Sequence, residues 1–165
     1  MERILNFKHW QLFLLIIIPT SYISKSDVLI FIKLFGILIS SIWVYSVVVY
    51  GNKKIIELNL PKINLKLFSI NILLIPILCL FVFLYFYKGY GQSGVLKLIW
   101  NIVMFYWLFA ILQTILIAAK TLITIELKRK ATFSDYFWTY FFMINLFIGI
   151  WFIQPKINKL IAKSE

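Results

Sequence analysis

Five apolar runs dominate this chain: residues 10–24, 28–50, 68–87, 95–119 and 136–153. A helix needs about 20 apolar residues to cross the hydrocarbon core of a bilayer. Lipid offers no partner for backbone N–H and C=O groups, so a crossing segment is helical or part of a closed barrel. Barrel strands alternate apolar and polar residues over about ten positions. The stretch 70–87 is apolar on every face instead. The runs therefore predict an all-α fold, a polytopic membrane helical bundle in one domain over residues 1–165. Four transmembrane helices are expected, plus a fifth C-terminal apolar helix that either spans or re-enters.

Composition agrees. Of all residues, 62% are hydrophobic, and the mean hydropathy is +0.93. A soluble domain is about half apolar, and a chain this small has too much surface to hide the excess. The run 10–24 is short and carries Pro19. Arg3 and Lys8 before it, and Ser21, Ser24 and Ser26 after its core, imitate a signal peptide. It is read as a retained first span, joined to the second by a tight hairpin at Lys25, Ser26 and Asp27. Pro76 predicts a kink in the third run. Gly89, Gly91 and Gly94 mark the turn between the third and fourth. Trp10, Tyr22, Tyr50, Tyr85, Tyr87, Trp100, Tyr136, Trp138 and Trp151 stand near run ends, as an interfacial aromatic belt does.

Charge sets the expected orientation. The chain holds 17 Lys or Arg against 6 Asp or Glu, a net charge of +11. With the N-terminus in the cytoplasm, Arg3, Lys8, Lys53, Lys54, Lys62, Lys66, Lys120, Lys128, Arg129 and Lys130 lie inside. Only Lys25, Lys88 and Lys97 lie in outer turns, which satisfies the positive-inside rule. Lys156, Lys159 and Lys163 fall outside if 136–153 crosses, and inside if the chain turns back, for which Gly149 supplies a permissive backbone. Both topologies stay open on these residues.

The basic segments 52–67 and 120–135 are expected at the inner face. Lys53, Lys54, Lys62 and Lys66 interleave there with Ile56, Leu58, Leu60, Ile63, Leu65 and Leu67. Such a pattern suits anionic lipid headgroups rather than nucleic acid, for which no groove or stacking platform is discernible. Lys128, Arg129, Lys130, Lys156 and Lys159 join the same set, the last two on a short helix lying on the membrane surface. Segment 120–131 extends the fourth helix, with Glu126 pairing four residues on with Lys130. Thr132 and Asp135, three apart in "TFSD", form a capping-box start for the last helix.

Chemistry is sparse. There is no HExxH, CxxC or Gly-rich phosphate loop, so no catalytic residue, metal ligand or cofactor is assigned. The six acids all lie in loops or at ends. His9 is read as an interfacial residue beside Trp10, and Cys79 as a small buried hydrophobe. Lys33 stands inside the second run and shares a helical face with Gly36 and Ser40. Intramembrane charge is a functional hypothesis by default. The bland alternative is that Lys33 snorkels to the outer headgroups. Ser40 lies about 10 Å along the helix from Lys33, which disfavours a Ser–Lys dyad. Asn71, Asn101, Gln113, Thr114 and Asn145 are expected to hydrogen-bond between helices.

The segments "AAKTLITIEL" (118–127), "TFSDYF" (132–137), "GIWFIQPKIN" (149–158) and "NFKHWQLF" (6–13) resemble a family of small bacterial integral membrane proteins with no established activity. The resemblance implies a multi-pass protein of the bacterial cytoplasmic membrane and transfers no site residue. The expected function is a non-enzymatic membrane subunit or scaffold, packed against anionic lipid and other membrane chains. The alternative is a small oligomeric channel or transporter with Lys33 near its polar path.

Overall fold

The computed structural model describes residues 2–21, 27–88 and 94–162, and all the regular structure among them is helical. The elements are α1 (Glu2–Leu5), α2 (His9–Ser21), α3 (Asp27–Glu57), α4 (Lys66–Lys88), α5 (Gly94–Leu127), α6 (Phe133–Ile144) and α7 (Leu146–Ala162). The predicted turns at 25–27 and 89–94 lie largely outside the described residues.

Among the described residues, three helical stretches are long and apolar enough to cross a membrane: Ile30–Glu57, Lys66–Phe83 and Lys97–Leu127. At 1.5 Å per residue they measure about 42, 27 and 46 Å, against a hydrocarbon core of about 30 Å. The first of the four expected spans does not reach that length. α2 is only about 20 Å long and runs as a π-helix from Phe13 to Ile17. Pro19 follows that turn at once. A proline lacks the N–H and crowds the carbonyl four residues back, here Leu15, inside the π turn. Thr20 compensates in part, its hydroxyl donating to the Ile16 and Ile17 carbonyls at 2.7 and 3.1 Å. Pro76 is accommodated within the continuous helix α4.

The expected fifth apolar helix is also broken, at Asn145 rather than at Gly149. Asn145 leaves helical geometry at φ −89° and ψ 63°. Its backbone N–H and side-chain amide both donate to the Phe141 carbonyl, while its own carbonyl accepts from Ile148 and Gly149. The chain then bends sharply. Phe142 and Phe152 stack with ring centroids 5.0 Å apart, although ten residues of straight helix would separate them by about 15 Å. Gly149 is buried where α7 presses on the last turn of α6; a Cβ there would overlap the Phe142 carbonyl oxygen. α7 therefore returns to the end of the bundle that holds α1 and the last turn of α5. Gln154 donates to the carbonyls of Leu5 and Phe7, and Lys156 pairs with Glu126 at 2.5 Å.

The core forms where small residues let helices meet. On α5, Ala110, Thr114, Ala118 and Thr121 are buried along one stripe. Such stripes allow close backbone approach in a solvent where apolar area alone does not drive association. Gly51 of α3 sits against the Thr121 methyl, and Trp43, Val44, Val47 and Val48 extend the contact. Phe68, Ile72 and Ile75 of α4 and Met143, Ile150, Ile153 and Ile157 of α6 and α7 complete the cluster. The opposite faces are equally apolar and bare: Phe31 is 71%, Leu73 72% and Phe105 74% exposed. That inside-out distribution suits a lipid exterior.

Candidate functional site

Three helix ends build a groove of about 610 Å³, lined by Lys54, Glu57 and Leu58, by Ile125, Glu126 and Lys128, and by Lys156, Lys159 and Leu160. Four ammonium groups face two carboxylates, over a floor of apolar side chains.

Each end is shaped by its own sequence. α3 stops in a Schellman arrangement: Leu60 N–H donates to the Ile55 carbonyl and Asn59 N–H to that of Ile56, both at 3.0 Å. Asn59 takes the left-handed φ of 54° that this cap requires and that asparagine tolerates. α5 ends at Leu127, and Lys128 follows with φ 51°. The expected Glu126–Lys130 pair is therefore replaced, because the helix does not continue to residue 130. Glu126 pairs with Lys156 of α7 instead, and Lys54 pairs with Glu57 at 2.8 Å.

The turn after α5 is tied by the predicted capping box. Thr132 N–H and hydroxyl both donate to Asp135 Oδ2 at 2.8 Å, and α6 starts at Phe133. Arg129 forks onto both Asp135 oxygens at 2.9 and 3.0 Å. Arg129, expected at lipid headgroups, thus spends its guanidinium on the turn. Its guanidinium, followed by the Thr132 donors, holds the Asp135 carboxyl at about 2, below the ordinary 3.8. A lowered carboxylate pKa stabilises the fold above the ordinary value, and that contribution fades as pH falls through about 2. Arg129→Gln is expected to move the Asp135 titration upward toward 3.8, read by NMR of the side-chain carboxyl in detergent micelles.

Of the other lysines expected at headgroups, Lys53, Lys62, Lys66 and Lys130 are exposed outside the groove lining. The residues of the proposed polar face of α3 have these neighbours. Lys33 lies over the Phe83 ring of α4 at 5.8 Å. Gly36 is buried against α2, where a Cβ would meet Thr20 and Pro19 at 2.9 and 3.0 Å. Ser40 lines a partly open cavity of about 260 Å³ together with residues of α2, α4, α5, α6 and α7.

Among the embedded polar residues, Asn71 and Gln113 do bridge α4 and α5. The Asn71 amide donates to Gln113 Oε1 at 3.2 Å, and Tyr106 donates its hydroxyl proton to Asn71 Oδ1 at 2.8 Å. Thr114 and Asn145 bond within their own chain segments, and Asn101 is exposed. His9 packs on Trp151 at 4.6 Å, and Cys79 is buried.

Sequence inspection misses the most connected polar side chain. Gln154, fully buried, accepts from the Trp43 indole N–H at 2.9 Å. Its amide nitrogen lies 2.6 Å from Leu5 O, 2.9 Å from Phe7 O and 2.8 Å from Asn158 Oδ1, its two hydrogens shared among these three acceptors. The available signal was a glutamine in an apolar run directly before Pro155. Among the described residues, no group of three or more His, Cys, Asp or Glu is placed to hold a metal ion.

Fold and groove together define a helical bundle whose three long helices could cross a membrane, with basic side chains gathered at one end. No family model, curated protein or solved structure matches the chain.

Proposed function

We propose that this is a non-enzymatic integral membrane protein that holds anionic lipid headgroups in the groove between α3, α5 and α7. One observation carries the reading: Lys54, Lys128, Lys156 and Lys159 converge from three helices over Leu58, Ile125 and Leu160. A phosphodiester meets the ammonium groups, and the glycerol and upper acyl carbons meet the apolar floor. Each lysine near an anionic surface contributes about 1 kcal/mol. In this reading the N-terminal segment, the α5–α6 turn and α7 share the cytoplasmic side, because their lysines then obey the positive-inside rule. The bare apolar faces of α3, α4 and α5 meet acyl chains or other membrane helices, which is the scaffold role.

Phosphatidylglycerol added to mixed micelles is expected to raise the melting temperature by about 5 °C over the same amount of phosphatidylcholine. The quadruple variant K54Q/K128Q/K156Q/K159Q should lose that difference, and 0.5 M salt (roughly a 4 Å Debye length) should reduce it in the wild type. An equal response to both lipids would refute the headgroup site. Topology has its own check. In a Cys79→Ala background, Lys130→Cys and Lys159→Cys are expected to react with an impermeant maleimide from the same side of the membrane.

A further inference from the structure

The 260 Å³ cavity, partly open to the surface, belongs to neither the groove nor the charged end of the bundle. Ile16, Ile17 and Thr20 wall it from α2, Ile37, Ser40, Ser41, Trp43 and Val44 from α3, and Ile72 and Ile75 from α4. Trp107, Ile111, Thr114 and Ile115 present one face of α5, and Met143 and Leu146 close it from either side of the Asn145 break. We infer that this cavity binds a small uncharged lipophile through one carbonyl oxygen, with the Trp107 indole N–H as donor.

Three observations converge. First, among the described residues no charged side chain lines the cavity, and an ionised ligand held there would meet no compensating charge from them. Second, the Trp107 Nε1 atom is buried with no hydrogen-bond partner. An unmet buried donor is costly, and native structures rarely keep one without a reason. The Thr20 and Thr114 hydroxyls already donate to carbonyls of their own helices; the Ser40 and Ser41 hydroxyls also border the space, but Trp107 Nε1 is the lining donor that is fully shielded without an acceptor among the described residues. Third, the backbone break at Asn145 lies between two lining residues. Non-helical backbone at membrane depth persists where it is buried in protein or borders a cavity, and discontinuous helices are where membrane transporters place substrate sites.

Volume bounds the occupant. An apolar cavity of about 150 Å³ admits benzene. By that scale, 260 Å³ takes on the order of ten heavy atoms. Water alone is a poor filler, because each molecule needs two to four polar partners (about three on average) and most of these walls are aliphatic.

The test uses three probes of matched size, followed by fluorine NMR on the full-length protein in micelles. They are 4-fluoroacetophenone, 4-fluoroisopropylbenzene and 4-fluorobenzoate. The ketone should bind saturably and about three- to tenfold more tightly than its isopropyl analogue, and the benzoate should not bind. Trp107→Phe should abolish the ketone's preference while the isopropyl compound still binds. Ser40→Leu, which fills the cavity from α3, should displace both. Equal binding of the ketone and isopropyl probes, saturable benzoate binding, or a ketone preference that survives Trp107→Phe would overturn the assignment. So would the absence of any saturable binding to the wild type. None of these readouts depends on the lysine groove.

Discussion

Gly149→Ala is expected to destabilise the protein by about 3 kcal/mol, near the upper end of what overpacking costs. The added Cβ would overlap the Phe142 carbonyl oxygen and stand 2.6 Å from its carbonyl carbon. Both are backbone atoms held at the end of α6, so no rotamer change relieves the clash. The two helices must separate, which unstacks Phe142 from Phe152 and pulls α7 away from Glu126. Thermal unfolding in detergent, followed by circular dichroism, measures the loss. Gly51→Ala is the control. Its Cβ would crowd the Thr121 methyl and meet Ile125 Cδ1 at 3.0 Å. Those are side-chain atoms that can yield, so about 1–2 kcal/mol is expected. Equal effects of the two substitutions would show that the α6–α7 contact is not the tighter one.

Gln154→Ala is expected to cost about 3–4 kcal/mol. It strips the Trp43 N–H and the Leu5 and Phe7 carbonyls of partners in a buried site, and each unmet group costs about 1–3 kcal/mol. A double-mutant cycle with Trp43→Phe should return a coupling of about 1–2 kcal/mol. Gln154→Glu adds a pH signature. A glutamate at this position accepts from Trp43 in either state, but donates to the backbone carbonyls only when protonated. Burial and those carbonyls raise its pKa in the folded protein. Its stabilising contribution is therefore full below the unfolded glutamate pKa and fades as pH rises through the folded one. The variant should melt at a higher temperature at pH 4 (roughly the unfolded glutamate value) than at neutral pH. A melting temperature independent of pH, after subtraction of the wild-type profile, would show that the side chain at 154 does not bond to the Leu5 and Phe7 carbonyls.

Much of the architecture was legible in the residues. The three long helices follow from long apolar runs with few charges, since hydropathy over about 20 residues is a property of composition. The start of α6 was legible because a capping box is local: Thr132 and Asp135 need only each other. The Asn71–Gln113 bridge was anticipated in kind, as amides buried in apolar helices seek each other.

The misses share one cause. In α3 and α5 the outward face is as apolar as the inward one. Lipid-facing helices carry no polar stripe, so periodicity does not say which side packs. The stripe of Ala110, Thr114, Ala118 and Thr121 therefore did not announce itself. The break at Asn145 was invisible for a related reason. Residues 136–153 are uncharged throughout, and a window average cannot register a backbone turn. That turn is stabilised by Gly149 against Phe142 and by a glutamine bonded to a carbonyl 149 residues away.

By itself, then, the sequence determined the material and its polarity: apolar helices long enough to cross a membrane, with lysines gathered at particular ends. These depend on composition and on neighbours within one turn of helix. Only the tertiary structure decided that α7 folds back, that Lys156 meets Glu126, and that Lys54, Lys128 and Lys159 border the same groove. Those pairings join segments as much as a hundred residues apart, and no local periodicity encodes which helix ends will meet.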